Sequence, residues 1–302
     1  MEQSIFINHN REKQFGSLYF SSCGLSQTCP LHICAPDTTP DYILHIIYAG
    51  KGCYCTQNQK YLLQPGDAFL IRPNEYSYYF SDKTDPWLYG WLSFGGSDVD
   101  EVFKTVFQEG NHCIHVSQTV FYYELILKCL KCSNDSLTFR IQLKQLSYSF
   151  LHTFLTEIPD ELAPSSSQIS TPTANVIEYI RGHLHENLKI NDIARNLCFN
   201  RSHLSRDFKK NIGMNISEWI TAVRINEAAT LLATTQYSVE KIAETVGYSH
   251  TELLNKAFRK LMFETPTQYR NRTHSFTIRQ NTVYQLKELL SNQKVIPEAK
   301  RP

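Results

Sequence analysis

The chain has 302 residues, 42% of them apolar, enough to fill two domain cores and too apolar for a disordered chain. Its net charge of +1 singles out neither a nucleic acid nor a membrane, and nine cysteines, an odd number, argue for reduced thiols in the cytoplasm rather than a disulfide framework. The opening MEQSIFINHN lacks the pattern of a signal peptide, and no run reaches the ~20 apolar residues that cross a bilayer.

Residues 1 to about 115 read as strands. Tyr42–Tyr48 is rich in β-branched and aromatic residues and stops at the turn signal Gly50-Lys51-Gly52. Shorter strands are expected at Gly52–Thr56, Lys60–Leu63, Ala68–Ile71, Tyr76–Phe80 and Trp87–Phe94, with turns at Asn58, Pro65-Gly66-Asp67, Pro73-Asn74 and Asp82–Pro86. Such spacing predicts a sandwich or small barrel. Two helices follow, Thr119–Cys132 and Leu137–Ile158. The second carries Ile141, Leu143, Leu146, Phe150, Leu151, Phe154 and Leu155 near an i, i+3/i+4 stripe, which needs the barrel or a second copy as its partner. Cys129 and Cys132 form a CxxC in a helix-like run, with no second pair at zinc-ribbon spacing, so no metal site is expected. Residues 159–172 (PDELAPSSSQISTP) read as a linker. Thr171 as N-cap and Pro172 at the first helical position then start a helix, and the pattern stays helical to about residue 272.

That helical part repeats itself. Ile193-Ala194 matches Ile242-Ala243, Leu197 matches Val246 and Phe199 matches Tyr248, each 49 residues apart. Phe208 matches Phe258 and Trp219 matches Tyr269 at 50, which predicts one extra residue inside the second helix of the second copy. Each copy reads as a short helix, a turn (Gly247 supplying a positive φ in the second) and a second helix capped by Asn200 or Ser249. Leu204 and Phe208, or Leu254 and Phe258, fall on the buried face. This is a helix-turn-helix, whose second helix enters the major groove. The exposed faces offer Arg201, Ser202, Ser205, Arg206, Lys209 and Lys210, then His250, Thr251, Glu252, Asn255, Lys256, Arg259 and Lys260. Arg206 and Asn255 are types that read base edges, and Lys209, Lys210, Arg259 and Lys260 suit phosphates. From Ser170 onward 19 Lys and Arg face 12 Asp and Glu, so the near-neutral total hides a basic C-terminal half.

Over about Asn175–Arg270 the chain resembles the AraC/XylS family of transcription regulators. The resemblance is carried by Ile193-Ala194, Ser205–Lys210, Arg224-Ile225-Asn226-Glu227-Ala228, Val239–Tyr248 and Pro266–Arg270. It implies double-stranded DNA as partner, two units joined by a long helix, and base reading at Ser202, Ser205, Arg206, Thr251, Glu252, Asn255 and Lys256. Phe263 stands where the family usually has Gly, and Ile216 where the first unit often has Pro. About 30 residues follow Arg270, with a further helix expected at Val283–Ser291.

Pro65-Gly66-Asp67 with Phe69–Pro73, and Pro86–Trp91, resemble the cupin-like effector domain of sugar-responsive members. The expected fold is therefore α+β in two domains. Residues 1–158 form a cupin-like β-barrel with two helices, binding an effector and dimerising. Residues 159–172 are the linker, 173–272 the all-α domain with two helix-turn-helix units, and 273–302 an extension. The resemblance implies a homodimeric, cytoplasmic activator of carbohydrate-use genes that meets RNA polymerase, with an α-galactoside such as raffinose or melibiose as effector. Tyr42, His45, Arg72, Tyr76, Tyr78, Trp87, Tyr89 and Trp91 are the candidate sugar contacts, though alternation lets only about half of them face inward. A repressor or stress regulator with a non-sugar effector is the alternative. No cofactor is expected, and a cupin enzyme with a DNA-binding tail is disfavoured: Gly52–Thr56 has no His, and Tyr76 stands where a metal cupin often has one.

Overall fold

Period-two patterning in the first half and helical patterning in the second divide the molecule into a β-rich part and an all-helical part. The computed structural model describes residues 3–8, 17–34, 39–107, 111–132, 136–156 and 166–274. The β-part runs β1 (Gln3–Asn8), β2 (Tyr19–Gln27), β3 (Ile33–Cys34), β4 (Tyr42–Ala49), β5 (Gly52–Cys55), β6 (Gln59–Leu63), β7 (Asp67–Ile71), β8 (Tyr78–Ser81), β9 (Leu88–Gly95), α1 (Ser97–Val106), β10 (Cys113–His115), α2 (Thr119–Leu130) and α3 (Leu137–Leu155). With β11 (Ser166–Gln168) the strands make two antiparallel sheets, ordered β1-β2-β9-β4-β7-β10 and β11-β6-β5-β8-β3.

Three layers of core result. The inner faces enclose Tyr54, Phe69, Tyr79, Trp87 and Tyr89. On the outer face of the larger sheet Leu44, Ile46, Leu92 and Phe94 pack against Phe103, Tyr122, Ile126, Phe150 and Phe154 of α1–α3. On the outer face of the smaller sheet Ile33, Cys53, Cys55, Tyr78 and Phe80 pack against the helical part. Helix α1 lies where the sequence reads only as strands. Its Val99, Val102, Phe103 and Val106 repeat at helical spacing, too short a run to stand out beside the strands. All nine cysteines are free, and burial pushes the Cys53 and Cys132 thiols up to about 11, the unreactive state.

The helical part runs α4 (Thr171–Gly182), α5 (Ile190–Asn196), α6 (Arg201–Ile212), α7 (Ile216–Thr234), α8 (Val239–Thr245), α9 (Thr251–Met262) and α10 (Pro266–His274). The cap of α4 is Ser170 rather than Thr171: its hydroxyl accepts the Thr173 N–H at 3.4 Å and is itself held by Asp207. Part of the expected linker is structured, since 166–168 zip along the edge of β6. Residues 157–165 and Val283–Ser291 lie outside the described residues.

The repeat is closer than its sequence indicates. α5 and α8 both have seven residues, and α6 and α9 both have twelve. The extra residue therefore lies in the turn of the second unit, not inside its second helix as the sequence suggests. A helix that gained one residue would rotate everything after it by about 100°, whereas a turn absorbs it. The insertion also moves the cap of α9 from Ser249 to His250, which makes no side-chain cap bond, while Asn200 caps α6 by accepting from Ser202 and His203 N–H at 2.9 and 3.3 Å. Both following helices start with reciprocal capping boxes, Asn215 with Glu218 and Thr265 with Gln268.

Each unit needs two left-handed residues, one in its turn and one at the end of its second helix, and each has glycine at only one of them. Cys198 (φ 58) matches Gly247 (φ 86), and Gly213 (φ 90) matches Phe263 (φ 62). Phe263 is 60% exposed, so its ring contributes little packing to offset a left-handed backbone. Phe263→Gly is expected to raise stability by about 0.5–1 kcal/mol, read as a higher urea midpoint; an unchanged or lower midpoint would show that the ring matters more than the strain.

Candidate DNA interface and effector cavity

The second helix of each unit is seated by two residues one turn apart, Leu204 and Phe208 on α6, Leu254 and Phe258 on α9, all fully buried. That seat turns the opposite side outward. Arg201, Ser202, Arg206, Lys209 and Lys210 are exposed on α6, with Ser205 half-buried; His250, Glu252, Lys256, Arg259 and Lys260 are exposed around α9, with Thr251 and Asn255 half-buried. Among the described residues no carboxylate engages Arg206, Lys209, Lys210, Lys256, Arg259 or Lys260, so these cations are open to phosphates and base edges.

Helix α7 joins the units and fixes them against each other. Its Arg224 donates to Leu184 O from Nε (3.2 Å) and Nη2 (2.9 Å) and to Glu186 O, and lies 5.5 Å from the Tyr248 ring. Burial lowers the Arg224 pKa, so these carbonyls hold a charge partly withdrawn from water. His185 Nδ1 meets Thr245 O at 2.6 Å, so one loop of the first unit holds both the joining helix and the second unit. The β-part docks on the first unit away from the reading face. Trp219 of α7 meets Tyr78 (5.2 Å) and Phe80 (5.8 Å), Lys60 Nζ donates to Asn211 O (2.8 Å), and Arg181 lies 4.1 Å above the Tyr76 ring. A cavity of about 610 Å³ follows this seam, lined by Lys60 and Phe80 of the β-part and by Ile212, Gly213 and Glu218 at the junction of α6 and α7.

Among the described residues of the β-part, His45 Nδ1 and Trp87 Nε1 are among the buried polar atoms with no hydrogen-bond partner. His45 stacks on Phe69 (4.4 Å) and contacts Tyr79 and Tyr89, and burial holds its pKa down to about 3, so the ring is neutral. Toward one end the aromatic packing gives way to small polar residues. Register places Ser26 beside Tyr89, Gly24 beside Trp91 and Ser22 beside Ser93, all on the inner face. Phe6 of β1, paired with Gly24, reaches the half-buried Trp91 ring at 6.3 Å. An indole face bordered by glycine and three serines can stack on an apolar ring face and hydrogen-bond hydroxyls around it. Among the described residues no group of three or more His, Cys, Asp or Glu could hold a metal ion, and no helix is long and apolar enough to cross a membrane.

Residues 193–272 match a helix-turn-helix domain model, and residues 19–151 match a model of the AraC-like ligand-binding domain. The chain belongs to the AraC family. It is thus a DNA-binding transcription regulator rather than an enzyme, with a helical DNA-binding part and a β-rich part for a small-molecule effector. It is 27% identical to the Msm operon regulatory protein of Streptococcus mutans, over 78% of this chain and 86% of that one. It is 25% identical to the lactose operon transcription activator of Staphylococcus xylosus (83% and 92% covered) and 27% to the raffinose operon regulatory protein of Pediococcus pentosaceus (76% and 84%). Among solved structures, the C-terminal domain of a response regulator from Geobacillus stearothermophilus is 32% identical, covering 35% of this chain and 88% of that one, with a TM-score of 0.35.

In this AraC-type chain the eight aromatic and basic candidates for effector contact do not converge. His45, Trp87, Tyr89 and Trp91 face the interior. Tyr42 points to the opposite side of its sheet, 5.1 Å from Phe103 of α1. Tyr78 faces Trp219 and Tyr76 lies under Arg181, so both meet the DNA-binding part. Arg72 donates to Asn111 O at the rim, beside a polar cavity of about 420 Å³ lined by Thr56, Asn58, Gln59, Glu75 and His112. Ser22, Ser26 and Ser93 were not candidates on sequence grounds; their only signal is a hydroxyl or glycine beside each inward aromatic once the register is known.

Proposed function

We propose that the chain is a sugar-responsive activator of carbohydrate-utilisation genes, taking an α-galactoside such as raffinose or melibiose in the β-part and reading DNA with α6 and α9. The observation that carries the sugar reading is the Trp91 face bordered by Gly24, Ser22, Ser26 and Ser93, an aromatic face with a hydroxyl-rich rim. Relatives named for lactose and raffinose operons support it. Residues 1–158 would act as one effector and dimer domain and 173–272 as the DNA-binding domain. Leu137, Ile141, Tyr148 and Leu155 leave an exposed stripe along α3, which suits a second copy. As an activator acting in the cytoplasm, the dimer would then present RNA polymerase with a bound surface.

Titration calorimetry of the full chain against raffinose, melibiose and lactose tests the effector. One sugar is expected to bind the wild type, and Trp91→Ala to lose that heat. Failure of every sugar would favour the repressor or stress-regulator reading. On the DNA side, Arg206→Ala is expected to weaken specific binding by about 1–3 kcal/mol and to relax preference at one base position. A loss equal on all sequences would reduce Arg206 to a phosphate contact.

A further inference from the structure

The second reading helix carries one large apolar side chain that its unit's core does not use. Leu254 is fully buried, but its neighbour Leu253 is 48% exposed. The residues three and seven positions on, which share its side of the helix, are Lys256 and Lys260. Both are exposed, and neither meets a carboxylate among the described residues. An apolar protein partner would have to bury these cations together with the leucine, an unfavourable desolvation. A DNA major groove suits all three side chains. Its phosphates take the ammonium groups, and only one base, thymine, displays an apolar group there, its 5-methyl. In the first unit the matched position is His203, 50 residues earlier, exposed and polar. The two units therefore do not ask for the same bases.

We propose that Leu253 reads a thymine through its 5-methyl group, so that the DNA segment under α9 is marked by a T·A pair that the segment under α6 does not require. The inference rests on α9 being a groove helix. Asn255, on the other side of the reading face, suits adenine, so the second segment is A·T-marked, whereas Arg206 favours guanine in the first. The operator then has a direction that the protein recognises.

The test uses the full chain and a duplex it selects from a random pool. Each thymine under α9 is replaced singly by deoxyuridine, which removes only the methyl group. One replacement is expected to weaken wild-type binding about four-fold, the effect of one methyl group no longer withdrawn from water. Leu253→Ala should bind the thymine and uridine duplexes alike, keep the wild-type salt slope, and lose the thymine preference in its own selected pool. Arg206→Ala should retain the thymine–uridine difference. The proposal is overturned if every replacement is silent in the wild type, or if Leu253→Ala keeps the difference. It is also overturned if Leu253→Ala selects and binds DNA as the wild type does and lowers only transcription with polymerase, because the leucine then faces a protein. A chain that selects no duplex at all would remove α9 as a groove helix, and the thymine contact with it.

Discussion

Trp219→Ala is expected to destabilise the protein by about 3–5 kcal/mol, the cost of emptying a large aromatic site. Trp219 is 2% exposed and sits where two cores meet. On one side it packs edge-on against Phe208 (6.0 Å), the seat of α6; on the other it meets Tyr78 and Phe80 of the β-part. Its counterpart Tyr269 packs edge-on against Phe258 (5.5 Å) in the second unit, where the packed partners are helical apart from Cys29. The two roles of Trp219 separate experimentally. Trp219→Ala should lower the unfolding midpoint of the first unit and weaken its grip on DNA. Tyr78→Ala removes one aromatic contact on the β-side and leaves Trp219 on Phe208, so it should leave the helical part folded and, by loosening the seam, split one thermal transition into two. If Tyr78→Ala melts in a single unshifted transition, the aromatic seam does not hold the two parts together.

The DNA-binding part was legible in the sequence because its signal is local. Leu204, Phe208, Leu254 and Phe258 recur at helical spacing, and the joining helix lies between the copies, so burial follows from periodicity without knowing what covers what. What sequence could not place was the extra residue of the second unit. Matching apolar anchors bracket an insertion but do not say whether helix or turn absorbs it. The effector site was less legible for a different reason. Alternation reveals an inward face only when the other face is wet. Here both sheets are covered on the outside, the larger by α1–α3 and the smaller by the first DNA-binding unit. β5 and β7 are consequently buried at every position. Tyr42 and Tyr78 look like pocket residues under these conditions, and the strand pattern carries no sign that they point outward. The serines beside Trp91 are invisible for the same reason: their role depends on cross-strand register between β2 and β9.

Gly247→Ala is expected to cost about 3 kcal/mol, well beyond the usual penalty for an alanine at positive φ. Gly247 has φ +86, which for a residue with a Cβ costs roughly 1–2 kcal/mol. A Cβ there would also lie 2.5 Å from Leu184 O and 2.6 Å from Arg224 Nη2, and the first of these is main chain that no rotamer can move aside. Relief requires Leu184 O and Arg224 to part, which leaves a partly buried guanidinium short of an acceptor, a further cost of order 1–3 kcal/mol. The same contact orients the second unit relative to the first, so displacement reaches the reading helix α9 as well as the stability. Gly213→Ala is the internal control. Its φ is +90, but nothing lies within 4 Å of the added Cβ, so only the backbone penalty of roughly 1–2 kcal/mol applies. Gly247→Ala should therefore unfold at markedly lower urea than Gly213→Ala, and should lose affinity for a two-segment operator more than for its first segment alone. Equal midpoints for the two variants would mean that the Leu184–Arg224 clasp gives way at no cost, and that the units are not held at a fixed angle by it.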